Sequence, residues 1–324
     1  MYILSFTSKG YTLSERLKQI PEYEVEIIRV KNLNEVIDKV FKKNNTIVFI
    51  GAIGIAVRGI SSFIEHKSKD PAVIVIDEKG KVVIPILSGH LGGANDASLD
   101  LSKYLNAKAI ITTATDTNNV FSIDLYARHN DYHIANCEDI KLVSKELLEL
   151  KDVGLKSDYE IEGVIPQNFI LDTICSANVY FGMKSSLPNT LVLQPKMYHI
   201  GIGCKKDTDS AKLENFFLET LSNQNIDVNL VKSIASIDLK KNEKAIINLS
   251  EKYNLNFSTY TKEELAKYEN LFESSEFVKS ITGVSNVCES AAFLAAEKGK
   301  IILSKKVKDG MTIAIAIKNW KVKF

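Results

Sequence analysis

The segment Ser88–Asp96, SGHLGGAND, combines a histidine with three glycines in the spacing most suited to chemistry in this chain. It joins an apolar run, KVVIPIL, to a stretch with helical periodicity, which predicts a glycine-rich turn from a strand into a helix. Backbone N–H groups at such a helix start can bind an anion or a developing oxyanion, and histidine titrates near neutral pH. The segment is therefore either an anion site with His90 at its mouth or a structural turn whose histidine faces water.

A second polar segment, TTATD, ends at Asp116 and follows the strand predicted for Ala109–Thr115. Asp116 is suited to accept a proton or to orient His90, but it is equally suited to cap a turn, because its neighbours are capping residues. Ligands of open α/β sheets bind beyond the carboxyl ends of strands. Since both polar segments follow strands, we expect them to meet in one crevice.

Four further positions carry charges suited to chemistry. Arg58, in GIAVRGI, follows the strand ending near Ile53 and could hold a carboxylate bidentately, or it is a surface arginine. Glu289, in VCESAAF, is either buried with a partner or interacts with a helix dipole. Lys305 and Lys306 follow a strand and resemble an anion-binding edge, although a solvated charged turn is the ordinary interpretation.

The elements that must position these residues alternate between strand-like runs and helix-like periodicity, which predicts the α/β class. Ala94, Ala97, Leu101 and Leu105 form one apolar stripe that suits packing of a helix on a sheet. Alternation weakens near Asn118 and returns at Tyr198. We predict two α/β domains, residues 1–117 and 198–324, joined by a smaller mixed α+β middle unit, residues 118–197.

Several common site types are disfavoured by their spacing. GAIGIAVRG and GIGCKK are incomplete as dinucleotide-binding turns, and no GK[ST] motif is present. His129 and His133 stand four residues apart, but without a third ligand nearby no protein-bound metal is predicted. Cys204 precedes lysines that would lower its pKa, yet it has no identifiable base, so a structural thiol is favoured.

Composition limits the class further. The 324 residues are 45% hydrophobic and 25% charged, with a formal net charge of +1, so nucleic acid and membrane are not predicted partners. Four dispersed cysteines and the absence of a signal-like start predict free thiols and a cytoplasmic location. A polyanionic ligand would therefore need a local basic cluster. The sequence leaves a homodimer open.

Together these motifs resemble a known family. GIAVRGI, DPAVIVIDEKG, ILSGHLGGAN and ITTATD, in this order, are similar to the N-terminal part of the cobalt-precorrin-5A hydrolases, the G proteins of anaerobic cobalamin biosynthesis. GIGCKKDT, SIASIDLKKNEKA, GVSNVCESAAF and LSKKVKDGMTIAIA resemble the C-terminal domain of that family. The resemblance covers residues 46–126 and 198–317. The segment Asn118–Ser122 departs from the family pattern but leaves Asp124 in register.

The resemblance implies a substrate and a reaction. The substrate is an anionic cobalt-containing tetrapyrrole with a δ-lactone; hydrolysis opens the lactone, and the extruded carbon leaves as acetaldehyde. His90 is the expected general base, with backbone N–H groups near Gly92–Asn95 as oxyanion donors. No cofactor is expected on the protein, because the cobalt arrives in the substrate. The expected catalytic residues are His90, Asp116 and Glu289. The expected substrate-binding residues are Arg58, Ser88, Gly89, Gly92, Gly93, Asn95, Thr113, Cys204, Lys205 and Lys305.

Two alternatives remain at this point. The first is a non-catalytic corrinoid-binding or carrier protein, in which the same basic edges hold the ligand and His90 is inert or ligates cobalt. The second is a nucleotide-responsive α/β protein, which the incomplete glycine motifs disfavour. Release of acetaldehyde from cobalt-precorrin-5A separates the hydrolase from the carrier.

Overall fold

The computed structural model describes residues 1–67 and 69–324, which divide into two compact units. Residues 1–128 and 137–152 form the first unit, and residues 129–136 and 153–324 form the second. The strands of the first unit are β1 Tyr2–Ser5, β2 Glu26–Arg29, β3 Thr46–Ile50, β4 Ala72–Ile76, β5 Val82–Leu87 and β6 Lys108–Ala109. Its helices are α1 Ser8–Leu17, α2 Leu33–Val40, α3 Ile53–Ile60, α4 Ala94–Leu105, α5 Ala114–Thr117, α6 Ile123–His129 and α7 Ile140–Leu148, with a 3₁₀ turn at Cys137–Asp139.

The second unit contains the remaining elements. Its strands are β7 Tyr132–Ile134, β8 Val153–Ser157, β9 Ile161–Glu162, β10 Phe169–Leu171, β11 Asn178–Phe181, β12 Thr190–Pro195, β13 Tyr198–Gly203, β14 Val231–Ile237, β15 Asn256–Tyr260, β16 Lys300–Lys308, β17 Met311–Ile317 and β18 Val322–Lys323. Its helices are α8 Ser210–Asn223, α9 Lys244–Tyr253, α10 Lys262–Ala266, α11 Glu276–Thr282 and α12 Cys288–Ala295, with 3₁₀ turns at Val228–Leu230, Asp238–Lys240 and Glu269–Leu271.

The first unit is built on a six-stranded sheet in the order β2-β1-β3-β4-β5-β6. The strands β2, β1, β3 and β4 are parallel, whereas β5 runs antiparallel to β4 as the partner of a hairpin. All five residues of β4 are buried, as expected for a central strand covered on both faces. The predicted apolar stripe of α4 is confirmed, since Ala94, Ala97, Leu101 and Leu105 lie in the core under this sheet.

The reversal of β5 decides which edge of the sheet carries the SGHLGG turn. Leu87 at the end of β5 pairs with Val73 at the start of β4, so the turn leaves the sheet at the edge where the parallel strands begin. The strand β6 runs parallel to β5 and delivers the TTATD segment to the same edge. The expectation that the two segments meet is confirmed, but they meet opposite the carboxyl ends of β1, β3 and β4. The strand predicted for Ala109–Thr115 is wrong beyond Ala109, because residues 114–117 form the short helix α5.

The second unit holds two five-stranded sheets, in the orders β10-β8-β11-β12-β7 and β15-β14-β13-β17-β16, and a pair of β18 with β9. The predicted α/β class is confirmed in both units. The segment 118–197, predicted as a middle unit, supplies every strand of the first of these sheets, while its residues 118–128 and 137–152 belong to the first unit. The predicted middle segment is therefore divided between the two units, because most of α6 and all of α7 belong to the first unit.

Two further features concern the histidine pair and membrane-spanning helices. The helix α6 ends at His129 while His133 lies in β7, so the two histidines do not share a helical face. In residues 1–67 and 69–324, no helix is both long enough and apolar enough to span a bilayer.

Candidate functional site

The SGHLGG turn has a geometry that depends on its small residues. Ser88 has a positive φ of 54° and donates from its hydroxyl to the carbonyl of Asp70 at 3.1 Å. Gly93 has a φ of 85° and forms the N-cap of α4. A side chain at Gly89 would meet the amide of Asn95, and one at Gly92 would meet the Cβ and the carbonyl oxygen of Ser88. These contacts explain why the turn uses glycine at both places.

The turn places His90 between two carboxylates. The ring Nδ1 lies 3.1 Å from Asp124 Oδ1, and Nε2 lies 2.9 Å from Asp116 Oδ2. His90 and Asp124 are more than nine-tenths buried, while the side chain of Asp116 is 30% exposed. Ser122 donates from its hydroxyl to Asp124 at 2.7 Å and also lies 3.1 Å from Nδ1. The result is a line Asp124–His90–Asp116 that runs from the interior to the surface of the first unit.

This arrangement makes His90 a cation at neutral pH. An ionised carboxylate only accepts hydrogen bonds, so each ring nitrogen facing one must carry a proton. The hydrogen bond to Asp124, together with the charges of both carboxylates, outweighs burial and raises the pKa of His90 to about 9. Burial alone would raise the pKa of Asp124, but the hydrogen bond and charge of His90 hold it below its ordinary range. Both ring nitrogens of His90 are engaged by carboxylates, and the general-base role expected from the sequence stays a prediction.

Asp116 is the site residue with an oxygen left for substrate or water. Its Oδ2 accepts both from His90 and from the side-chain amide of Asn95, the latter at 2.9 Å. The same amide donates to the hydroxyl of Thr113 at 3.1 Å. Within the described parts of the chain, Asp116 Oδ1 accepts no hydrogen bond. Asn95, expected to bind substrate, thus holds Oδ2 of Asp116, and Thr113, expected to do the same, contacts the Asn95 amide.

The oxyanion donors expected near Gly92–Asn95 are mostly committed inside the turn. The N–H groups of Gly93, Ala94 and Asn95 donate to the carbonyls of His90, Ser88 and Gly89, at 2.9 to 3.2 Å. Across residues 1–67 and 69–324, the N–H groups of Leu91 and Gly92 have no acceptor, and both residues are partly exposed. The donors left for an oxyanion are therefore that of Gly92, the first residue of the expected range, and that of Leu91 directly before it.

Two residues of this site carried no role in the sequence analysis. Asp124 was noted only as being in register, and Arg128 was not considered. Both lie on α6, one helical turn apart, and both face the SGHLGG turn: Arg128 Nη1 donates to Asp96 Oδ2 at 2.5 Å. The signal that could have found them is the i, i+4 spacing of an acidic and a basic residue in IDLYARH.

Arg58 lies apart from this edge in the topology of the sheet. Its helix, α3, follows β3 and so begins at the edge where the parallel strands end, whereas the SGHLGG turn leaves the opposite edge. Arg58 is exposed, and no contact between it and the His90 line occurs in the described residues. Its expected role in substrate binding stays a prediction.

The remaining expected residues belong to the second unit. Cys204 follows β13 and packs against the core of that unit, where burial raises the pKa of its thiol in spite of Lys240 nearby. The expectation that neighbouring lysines lower this pKa is wrong in direction. Lys205 is exposed and its methylenes lie beside Gly310 in the turn between β16 and β17. These positions are compatible with a structural thiol and a solvated lysine.

Glu289 makes its contacts within the second unit as well. Its carboxylate accepts from the Asn286 amide at 2.7 Å and from the backbone N–H of Lys305 at 3.3 Å. The side-chain oxygen Oδ1 of Asn286 in turn accepts from the backbone N–H groups of Glu289 and Ser290. This buried carboxylate thus joins the start of α12 to β16, which matches the interpretation of a buried carboxylate with a partner. The catalytic role expected for Glu289 stays a prediction.

The raised pKa of His90 predicts how stability depends on pH. A folded-state pKa of about 9, against 6.5 for an ordinary histidine, stabilises the fold fully below pH 6.5 and less as pH rises through 9. The free energy of unfolding of wild type should exceed that of His90→Gln at roughly pH 6. We expect this difference to shrink by about 3 kcal/mol between roughly pH 6 and pH 10. Urea unfolding of both proteins at each pH measures this. An advantage that does not change with pH would contradict a charged His90.

A charged histidine beside a partly exposed carboxylate, at the edge of an α/β sheet, defines an acid–base site of the kind that hydrolytic enzymes use. Two family models match the chain: Cobalamin synthesis G N-terminal over residues 35–116 and Cobalamin synthesis G C-terminus over residues 198–316. The chain belongs to the cobalamin synthesis G family. The first model ends at Asp116, so it includes His90 and Asp116.

Three curated relatives support the same assignment. A protein named cobalt-precorrin-5A hydrolase from Salmonella typhimurium is 35% identical over 86% of this chain and 83% of its own length. A protein of the same name from Priestia megaterium is 30% identical over 86% of this chain and 79% of its own. A relative from Methanocaldococcus jannaschii is 30% identical over 98% of both chains. The resemblance drawn from the sequence motifs is confirmed.

Proposed function

We propose that this chain hydrolyses cobalt-precorrin-5A in anaerobic cobalamin biosynthesis, opening its δ-lactone and releasing acetaldehyde. The observation that carries the proposal is the Asp124–His90–Asp116 line, which presents one free carboxylate oxygen beside a histidinium. Two relatives that bear the name of this enzyme are similar along most of the chain. The cobalt is part of the substrate, and the protein residues supply acid–base chemistry alone.

The first stage is attack of water on the lactone carbonyl. Asp116 Oδ1 takes a proton from the water, whose oxygen bonds to the carbonyl carbon. The carbonyl oxygen becomes an oxyanion within reach of the Leu91 and Gly92 N–H groups. Each such donor typically stabilises an oxyanion by a few kcal/mol. When the tetrahedral intermediate collapses, the ring C–O bond breaks and the alkoxide receives a proton from Asp116. The products of this stage are a free hydroxyl and a carboxylic acid, which loses its remaining proton to solvent and becomes a carboxylate.

The second stage breaks a carbon–carbon bond. The freed hydroxyl stands on the extruded carbon that bears the methyl group. Asp116 removes its proton, the oxygen forms a carbonyl, and the bond to the macrocycle breaks with its electron pair passing to the conjugated ring. A proton returns to the ring and acetaldehyde leaves. His90 stays charged through both stages and keeps the carboxylate of Asp116 oriented through the contact of its Nε2 with Oδ2.

The role of His90 therefore differs from the general base of the sequence-based hypothesis. Its two protons point at Asp124 and Asp116, so neither ring nitrogen has a lone pair for water. Asp124 holds the ring orientation from the buried side, as a carboxylate does for histidine in other acid–base sites. We assign the base to Asp116 and electrostatic positioning to His90.

Incubation with cobalt-precorrin-5A tests this function against the carrier alternative. We expect acetaldehyde in a one-to-one ratio with consumed substrate, and a macrocycle whose mass changes by the addition of water and the loss of acetaldehyde. A carrier would bind the tetrapyrrole, change its absorption spectrum and release no acetaldehyde. That result with folded protein would rule out the hydrolase.

A further inference from the structure

Arg128 lies against the SGHLGG turn at Gly93. Its guanidinium occupies the space that a Cβ on Gly93 would need, and the φ of 85° at Gly93 independently favours glycine there. Gly93 donates to the carbonyl of His90 at 3.0 Å. Arg128 is therefore packed against the turn that holds His90, and its contact there, Gly93, lies three residues after His90.

The helix α6 positions Arg128 with the catalytic line. Asp124 contacts His90 from the first turn of α6, and Arg128, one helical turn later, contacts Gly93 and Asp96. Asp96 lies in the first turn of α4, where a carboxylate is favoured by the helix dipole and a cation is not. The Asp96 carboxylate thus offsets the cost of placing a guanidinium at this helix start and sets its orientation.

The guanidinium retains binding capacity. It has five N–H groups, and in the part of the chain described here Asp96 is the one acceptor of them. The Arg128 side chain is 35% exposed, so part of it is open to solvent. The site contains three carboxylates, Asp96, Asp116 and Asp124. It contains two cationic side chains, His90 and Arg128, so negative charge is in excess. A polyanionic substrate would be repelled there unless one of its carboxylates met a cation.

We infer that Arg128 is a substrate-binding residue: its open edge pairs bidentately with a peripheral carboxylate of the tetrapyrrole and thereby places the lactone at Asp116. Asp96 is the positioning residue that holds the guanidinium in place. This inference rests on the proposed function for the identity of the substrate. Its physical basis is separate, since it uses the contacts of Arg128, Gly93 and Asp96.

The test compares Arg128→Gln, Arg128→Lys and, as a matched control, Arg16→Gln, an exposed arginine on α1 of the same unit. Acetaldehyde release gives kcat and KM, and titration of the cobalt-precorrin-5A spectrum gives Kd. We expect Arg128→Gln to raise KM and Kd roughly 10- to 100-fold with kcat within about 3-fold of wild type, because charge-assisted pairs are worth that much. Arg128→Lys should recover part of the loss and Arg16→Gln should behave as wild type.

Unchanged KM and Kd in Arg128→Gln would overturn the inference, as would a lower Tm and kcat at wild-type KM, since that pattern marks a structural role. If Arg128→Gln does not fold, Arg128→Lys decides by the same constants: a raised KM supports the inference and a wild-type KM overturns it. If wild type binds the tetrapyrrole but releases no acetaldehyde, the proposed activity fails while the ratio of Kd values still decides the role of Arg128. If wild type does not bind it, both fail.

Discussion

Replacement of Asp116 by asparagine is expected to lower kcat for acetaldehyde release by about 10³-fold, within the usual range for removal of a general base. Asparagine keeps the size of the side chain and an oxygen that can accept from His90 and Asn95, but its other terminal atom donates and cannot take a proton from water. KM should change little, because Asp116 is assigned to chemistry. Single-turnover assays with excess enzyme measure the effect on the chemical step directly.

The control for this substitution is Asp38→Asn, an exposed aspartate on α2 in the same unit. It removes the same charge from the chain, so it reports any effect of net charge on binding of the polyanionic substrate. We expect it to leave kcat and KM at wild-type values. If Asp116→Asn retains more than about a tenth of wild-type kcat while folded, Asp116 is not the base.

The second large effect concerns the buried end of the line. His90→Gln leaves the Asp124 carboxylate, 8% exposed, without its cation, and breaking a buried ion pair in this way typically costs about 3 to 5 kcal/mol. The neighbouring Ser122 hydroxyl and Leu125 N–H still donate to Asp124, but they are neutral. We expect urea unfolding at about pH 6.5 to show a loss of this size for His90→Gln.

A double-mutant cycle separates stability from catalysis at this pair. In His90→Gln with Asp124→Asn no unpaired charge is buried, so the double variant should be more stable than the sum of the single losses predicts, by about 2 kcal/mol. Acetaldehyde release should nevertheless stay about 10²-fold or more below wild type, because the charge that orients Asp116 is gone. Additive losses in stability would show that Asp124 and His90 are not coupled as a charged pair.

The site shows what local sequence patterns could and could not predict. The turn from strand into helix at SGHLGG and the apolar stripe of α4 follow from residue types a few positions apart, and both are present in the structure. The meeting of His90 with Asp116 followed from one general rule about strand ends. The role of His90 did not follow, because a histidine between two carboxylates has a different charge from one facing water, and Asp124 is 34 residues away.

The division of the chain shows the same limit on a larger scale. A change in pattern near Asn118 marked the end of regular alternation, yet α6 and α7 return to the first unit while the strands between them and after them build the second. The helix α6 has only seven residues, Ile123–His129, so it spans too few turns to establish a clear amphipathic pattern. Its position depends on which side chains it meets, and both Asp124 and Arg128 meet partners from the SGHLGG turn.

The sequence alone determined the α/β class, the family and the turn that carries His90, because each is encoded in contiguous residue patterns. Only the tertiary structure decided that β5 is reversed, so that the site lies at the edge where the parallel strands begin. It also decided that His90 lies between Asp124 and Asp116, and that Arg128 contacts the turn that carries His90. The physical reason is that charge and edge position depend on neighbours distant in the chain, which no local pattern records.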